Sequence, residues 1–158
     1  AIDNSIYPIV KFIDNDNIAC FGNKDIRMYT MKEKPDEKSV IDLESREMQG
    51  VFYNSSCVGY IALSDQDNKT KYKMYVYDDS GKLKSEMDYA DSFEKIYATE
   101  DEIIVLGDMD CSIFRLNGSR RFQHSFKKNL VNVVPDSNKE EYVVIFENET
   151  QAIQLKGM

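Results

Sequence analysis

Apolar, aromatic and β-branched residues in this chain gather in short runs that end in Gly, Asp or Asn. Four runs share one form: NIACFGN at 17–23, GYIALSD at 59–65, EIIVLGD at 102–108 and EYVVIFEN at 141–148. Their starts are offset by 42, 43 and 39 residues. A period of about 40–45 residues with several strands per unit is the mark of propeller blades. Helical repeats would space apolar positions by 3.6 residues, and that pattern is nearly absent.

The third unit shows the plan most clearly. Residues 92–98 read as a strand carrying Phe93 and Ile96, and Glu100-Asp101 as a turn. Residues 103–107 form an almost continuous apolar strand, and 111–116 and 121–126 complete the unit. Asn117-Gly118 predicts a tight hairpin turn, because both residues tolerate positive φ. The second unit follows with strands at 51–54, 58–63, 72–77 and 83–89. The first has 9–13, 18–21, 26–31 and 39–43. The last has 130–134, 142–146 and 151–155, with no fourth strand. One segment, 35–48, supports two readings: Pro35 and the surrounding charges suit a helix start, whereas the repeat asks for a strand. The expected fold is all-β, a partial or small β-propeller of about four antiparallel four-stranded blades with the last incomplete. The units lie near 6–45, 48–89, 92–127 and 130–156 of a single propeller-like domain, expected to be a fragment of a longer protein.

Alternation within the strands says which faces need cover. Tyr75 and Tyr77 point one way, and Met74 and Val76 the other, so this strand is apolar on both sides and must be covered twice. Stacked blades meet that need, whereas a single sandwich would leave one face polar. The fourth strands, such as LKSEMDY at 83–89, are more polar, as suits an outermost edge whose lysines discourage pairing. The three-stranded last unit leaves 151–155 with open backbone groups. That edge predicts self-association through the incomplete blade, closure into a small ring, or missing upstream blades.

The runs VGYIALSDQDNKTKYKMYVYDDSGKL at 58–83 and EIIVLGDMDCSIFRLNG at 102–118 resemble an uncharacterised family of Gram-positive bacterial proteins. The resemblance implies an N-terminal membrane anchor followed by an extracellular propeller-like region, of which this chain would be the C-terminal part. It rests on blade style and turn wording, and it carries over no functional residues. The strand order also looks like that of WD-repeat blades, but their Trp-Asp signature is missing, and the chain has no Trp.

Charge narrows the partners. The formal net charge is −8, which repels nucleic-acid backbones and anionic lipid surfaces. No apolar run approaches the roughly 20 residues of a membrane span. The basic cluster Arg120, Arg121, His124, Lys127 and Lys128 reads as a solvated outer strand. Cys20, Cys57 and Cys111 are odd in number and lie in or beside apolar runs, as buried thiols do.

Candidate chemistry is sparse. The acidic turns at 14–17, 65–68, 78–79 and 108–110 could offer oxygen ligands to calcium, with Asp65 and Asp67 as the metal candidates. Asp and Asn are equally the residues that cap turns, and no EF-hand loop follows. His124 lies between Phe122 and Phe126, a packing position rather than a general base. Tyr72, Tyr75, Tyr77 and Tyr97 cluster in sequence and make a candidate ligand face, since tyrosine joins contact area to a polar tip; sheet packing uses it as readily. No catalytic residue, cofactor or nucleophile motif is assigned. The expected function is a non-catalytic binding or scaffolding module whose partner is a protein or cell-envelope polymer. A structural part of a sensor or secretion assembly and a glycan or peptide hydrolase are the alternatives.

Overall fold

The computed structural model describes residues 6–64, 71–138 and 140–155. Fifteen strands and no helix occur among them. The first sheet holds β1 (Ile9–Phe12), β2 (Asn17–Phe21), β3 (Asp25–Met31) and β4 (Pro35–Asp42); the second holds β5 (Met48–Tyr53), β6 (Cys57–Leu63), β7 (Tyr72–Asp78) and β8 (Leu83–Tyr89). The third holds β9 (Lys95–Ala98), β10 (Glu102–Leu106), β11 (Asp110–Arg115) and β12 (Arg120–Ser125); the last holds β13 (Leu130–Pro135), β14 (Glu141–Phe146) and β15 (Thr150–Gln154). Every sheet is an antiparallel meander in chain order, and the last has three strands.

Three apolar cores join these sheets in series. Ala19, Phe21, Ile26 and Met28 of the first sheet meet Val58, Tyr60, Tyr75 and Tyr77 of the second. Phe52, Ile61, Met74 and Val76 on the second sheet's other face meet Ile103, Val105 and Phe114 of the third. Ile104, Leu106 and Ile113 meet Val133, Tyr142, Val144 and Phe146 of the fourth. Tyr75 and Tyr77 thus face away from Met74 and Val76, as the alternation requires. Strands β6 and β10 are buried on both faces. Among the described residues no core joins the first sheet to the fourth, so the four sheets form an open arc rather than a small closed ring.

Residues 35–42 form a strand, not a helix. Strand β4 is the outer edge of its sheet, where a proline's missing N–H costs no ladder bond. The chain leaves it through Glu44 and Ser45, both left-handed at φ 53° and 64°. The tight turn drops Leu43 into the first core and swings the Arg46 guanidinium to 4.2 Å over the Tyr75 ring, where it donates to the Tyr60 hydroxyl at 3.2 Å. The first strand of the third unit begins at Lys95 rather than residue 92, with Phe93 still packed on the second core.

Asn117 and Gly118 lie in the hairpin turn between β11 and β12, as expected. Only Gly118 has positive φ, at 95°. Arg115 N–H donates to Ser119 O and Gly118 N–H to Arg115 O, while the Asn117 side chain accepts from Ser119. The side chain of Asn117 closes the turn, and its backbone has no need of the left-handed region. The turn after β7 repeats this, with Gly81 at φ 83° and Asp78 accepting from Ser80 and from Lys82 N–H.

A methyl group at Gly59 would lie 2.3 Å from the Phe52 ring and 2.5 Å from Tyr75 O. Gly59→Ala is therefore expected to destabilise the protein by about 1–3 kcal/mol through overpacking, read as a lower denaturant midpoint. The Ser80 hydroxyl, helped by the Lys82 N–H, holds the Asp78 carboxyl below its usual 3.8. A lowered folded value means that this stabilisation is complete above 3.8 and lost as pH falls through the folded value. Denaturant midpoints measured across that acid window should fall more steeply for the native chain than for Asp78→Asn, and equal slopes would refute the capping role.

Candidate functional site

The β9–β10 turn is held from both sides. Asn54, only 7% exposed, donates from Nδ2 to Thr99 O at 2.8 Å and to Glu100 O at 3.3 Å. Its Oδ1 accepts from Ser56 and Cys57 N–H, so a single amide closes its own turn and ties the second sheet to the third. Ser55 Oγ donates to the Glu100 carboxylate at 2.8 Å. On the other side, Glu102 opens β10 in phase with the inward Ile104 and Leu106. Its side chain is 9% exposed. Arg121 Nη1 donates to one carboxylate oxygen at 2.9 Å and the Tyr142 hydroxyl to the other. Arg121 also donates to the Tyr142 oxygen at 3.3 Å. Such a buried charge survives only because both oxygens are engaged.

This trio forms the floor of a groove of about 630 Å3 between the third and fourth sheets, walled by the β9–β10, β11–β12 and β13–β14 turns. Asp101, Asp136 and Glu140 stand exposed around it, together with Glu100, and Arg115 and Arg121 are the cations among the described residues of its lining. Among the described residues its lining holds five carboxylates and two guanidiniums, which makes the described part of the groove acidic. A carboxylate whose oxygens both accept charge-assisted or phenolic hydrogen bonds is a structural anchor, and the rim around it is exposed.

The residues singled out from the sequence lie elsewhere. Asp65 and Asp67 fall outside the described residues. Asp14 caps its own turn, accepting from Asp16 and Asn17 N–H at 2.8 Å, which holds its carboxyl low together with the Asn17 side chain. Among the described residues no group of three or more His, Cys, Asp and Glu is placed to hold a metal ion. The four tyrosines do not share a face. Tyr75 and Tyr77 are buried beside Tyr60 in the first core, Tyr72 packs edge-on against Phe93 at 5.0 Å, and Tyr97 packs on the third core. Burial pushes the Tyr97 phenol up. His124 sits on the outer strand with its ring 4.6 Å from Phe126 and 6.2 Å from Phe122. Cys57 and Cys111 are buried, the latter's thiol pushed up to about 12 by burial, whereas Cys20 is half-exposed.

The sequence reading missed Glu102, Arg121 and Tyr142. Their signal was a charged residue in phase with buried alternate positions. Arg121 looked like one more cation on a solvated strand; it turns inward, leaving Arg120 exposed. Lys128 pairs with Glu149.

The arc is similar to known propeller proteins at low identity. BamB from Moraxella catarrhalis matches at 12% identity and TM-score 0.58, over 89% of this chain and 40% of its own. BBS1N, solved in complex with ARL6DN, matches at 12% and 0.61, over 94% and 50%. Kluyveromyces lactis Hsv2 matches at 9% and 0.64, over 98% and 50%. The chain thus spans about half the length of these structures. No curated protein matches its sequence. No helix among the described residues is long and apolar enough to cross a membrane. Residues 1–155 match the family of unknown function DUF5711, and over that span the chain belongs to it.

Proposed function

We propose that this chain is a non-catalytic, protein-binding scaffold and that the acidic groove between its third and fourth sheets takes a basic segment of the partner. The observation that carries this reading is the division of labour in the groove. The floor, Glu102–Arg121–Tyr142, is paired within itself, each carboxylate oxygen accepting a hydrogen bond. The rim, Asp101, Asp136 and Glu140, offers negative charge on turns that the flanking sheets hold in place. Preformed charge of one sign in a concave site steers an oppositely charged partner. An anionic envelope polymer would meet repulsion there, so a protein is the better fit. The complex of BBS1N with ARL6DN is an example of a similar fold that engages another protein. The further reading, that the module belongs to a membrane-tethered bacterial protein and faces outward, is supported by the resemblance of 58–83 and 102–118 alone.

The test uses an unstructured lysine- and arginine-rich peptide as probe, followed by fluorescence anisotropy. Converting Asp101, Asp136 and Glu140 together to lysine is expected to weaken binding at least about tenfold, since each exposed ion pair contributes up to ~1 kcal/mol. Added salt should weaken binding to the native chain. Equal affinity of the two proteins for the peptide would end the proposal. In a second measurement, Glu102→Ala takes the carboxylate away from the half-buried Arg121 guanidinium and is expected to lower stability by about 3 kcal/mol, read from denaturant unfolding.

A further inference from the structure

The chain has one Asn-Gly pair, Asn117-Gly118. A glycine after asparagine has no β-carbon to screen its backbone nitrogen, and its freedom lets that nitrogen reach the side-chain amide carbon. The structure puts this pair on an exposed turn and prepares the amide for attack. Asn117 is exposed, and its Oδ1 accepts from Ser119 N–H at 3.0 Å and from Ser119 Oγ at 2.7 Å. Two donors on a carbonyl oxygen draw charge from its carbon and stabilise the oxyanion that forms when a nucleophile adds. Among the described residues the Asn117 Nδ2 group donates to none, so no contact holds the nitrogen that must leave.

Asn54, followed by the small Ser55, is the opposite case. It is buried, and its Nδ2 is anchored across two sheets on Thr99 O and Glu100 O. Its Oδ1 is also doubly donated, so the two amides differ in exposure and in the grip on the leaving nitrogen. One bond restrains Asn117: Gly118 N–H donates to Arg115 O at 3.0 Å. That bond must open before the nitrogen attacks, and backbone bonds of exposed turns open at little cost.

We infer that Asn117 is a site of spontaneous deamidation and that its conversion adds charge to the acidic groove. The Gly118 nitrogen gives its proton to a solvent base and bonds to Asn117 Cγ; the Cγ–Nδ2 bond breaks, and the nitrogen takes up a proton and leaves as ammonia. Water then opens the five-membered imide. Breaking the newly formed C–N bond gives aspartate at position 117, and breaking the original peptide bond gives isoaspartate, whose main chain runs through one extra carbon. Either way a neutral amide becomes a carboxylate. Asn117 belongs to the groove lining, on the β11–β12 turn, so the new charge stands where a basic segment sits. The effect on binding rests on the groove reading above; the chemistry at Asn117 does not.

Peptide mapping by mass spectrometry, on the folded chain held in mildly alkaline buffer, tests the site. The peptide carrying Asn117 is expected to convert first, and faster as pH rises, while Asn54 keeps its amide. Ser119→Ala removes one donor and is expected to slow the conversion; a faster conversion makes the Ser119 contacts a lock and overturns their activating role. Conversion at Asn54 ahead of Asn117, or an Asn117 that converts only after the chain is unfolded in urea, overturns the site. For the groove, Asn117→Asp is expected to bind the lysine- and arginine-rich peptide up to about fivefold more tightly than the native chain, the effect of one added exposed ion pair. Equal affinity of these two proteins overturns the added charge as a modulator of binding. The lysine variant of Asp101, Asp136 and Glu140 separates that outcome from failure of the groove itself, because it reports whether the peptide uses the groove at all.

Discussion

The strand that lies second in each sheet has no polar side to offer water. Glu102 aside, β10 is Ile-Ile-Val-Leu, and β6 differs only by a glycine, a tyrosine and two small residues. A sheet built on such a strand needs a neighbour on each face, and the neighbour has the same need. Stacking follows, one sheet upon the next, and the strand twist turns the stack into an arc. The polar outer strands β4, β8 and β12 end each sheet in solvent. Everything else about the molecule, including the curvature that opens a groove between turns, is downstream of this double burial.

Apolar faces alone would let neighbouring sheets slide. Polar links near the sheet ends prevent it. Asn54 reaches the β9–β10 turn, Ser85 donates to Leu116 O, Arg46 bonds Tyr60 and covers Tyr75, and Glu102 takes Tyr142. These contacts are directional where the apolar ones are not, so they fix angle and register between sheets. The groove between the third and fourth sheets is a by-product of one such link. Its floor is an interblade bond, and its rim is whatever the joined turns expose.

Much of this was legible in the chain. Alternation along KMYVYD assigned Tyr75 and Tyr77 to one face and Met74 and Val76 to the other, because the strand period is two and both sets are apolar. The 42-residue spacing gave the four sheets, and the runs at 130–134, 142–146 and 151–155 gave the three strands of the last. Turn acids such as Asp14 and Asp78 were correctly read as caps, since an Asx side chain meets its own backbone within four residues. At 35–48 the repeat favoured a strand over a helix and a strand formed, since local charge and a proline describe an exposed edge strand as well as they describe a helix start. The Asn-Gly hairpin formed with one positive φ, at Gly118, while a side-chain bond from Asn117 closes the turn.

The sequence by itself thus determined the strands, their faces and their grouping, for these rest on periodicity and on contacts within a few residues. The tertiary structure alone decided which tyrosines meet. It sent Tyr75, Tyr72 and Tyr97 into three different cores, turned Arg121 from solvent onto Glu102, and brought Asn54 against a carbonyl 45 residues away. Asn54 and its carbonyl lie at different sheets, as do Glu102 and the Tyr142 that bonds it. Their meeting depends on the angle between blades, a quantity that packing sets and that no single strand encodes.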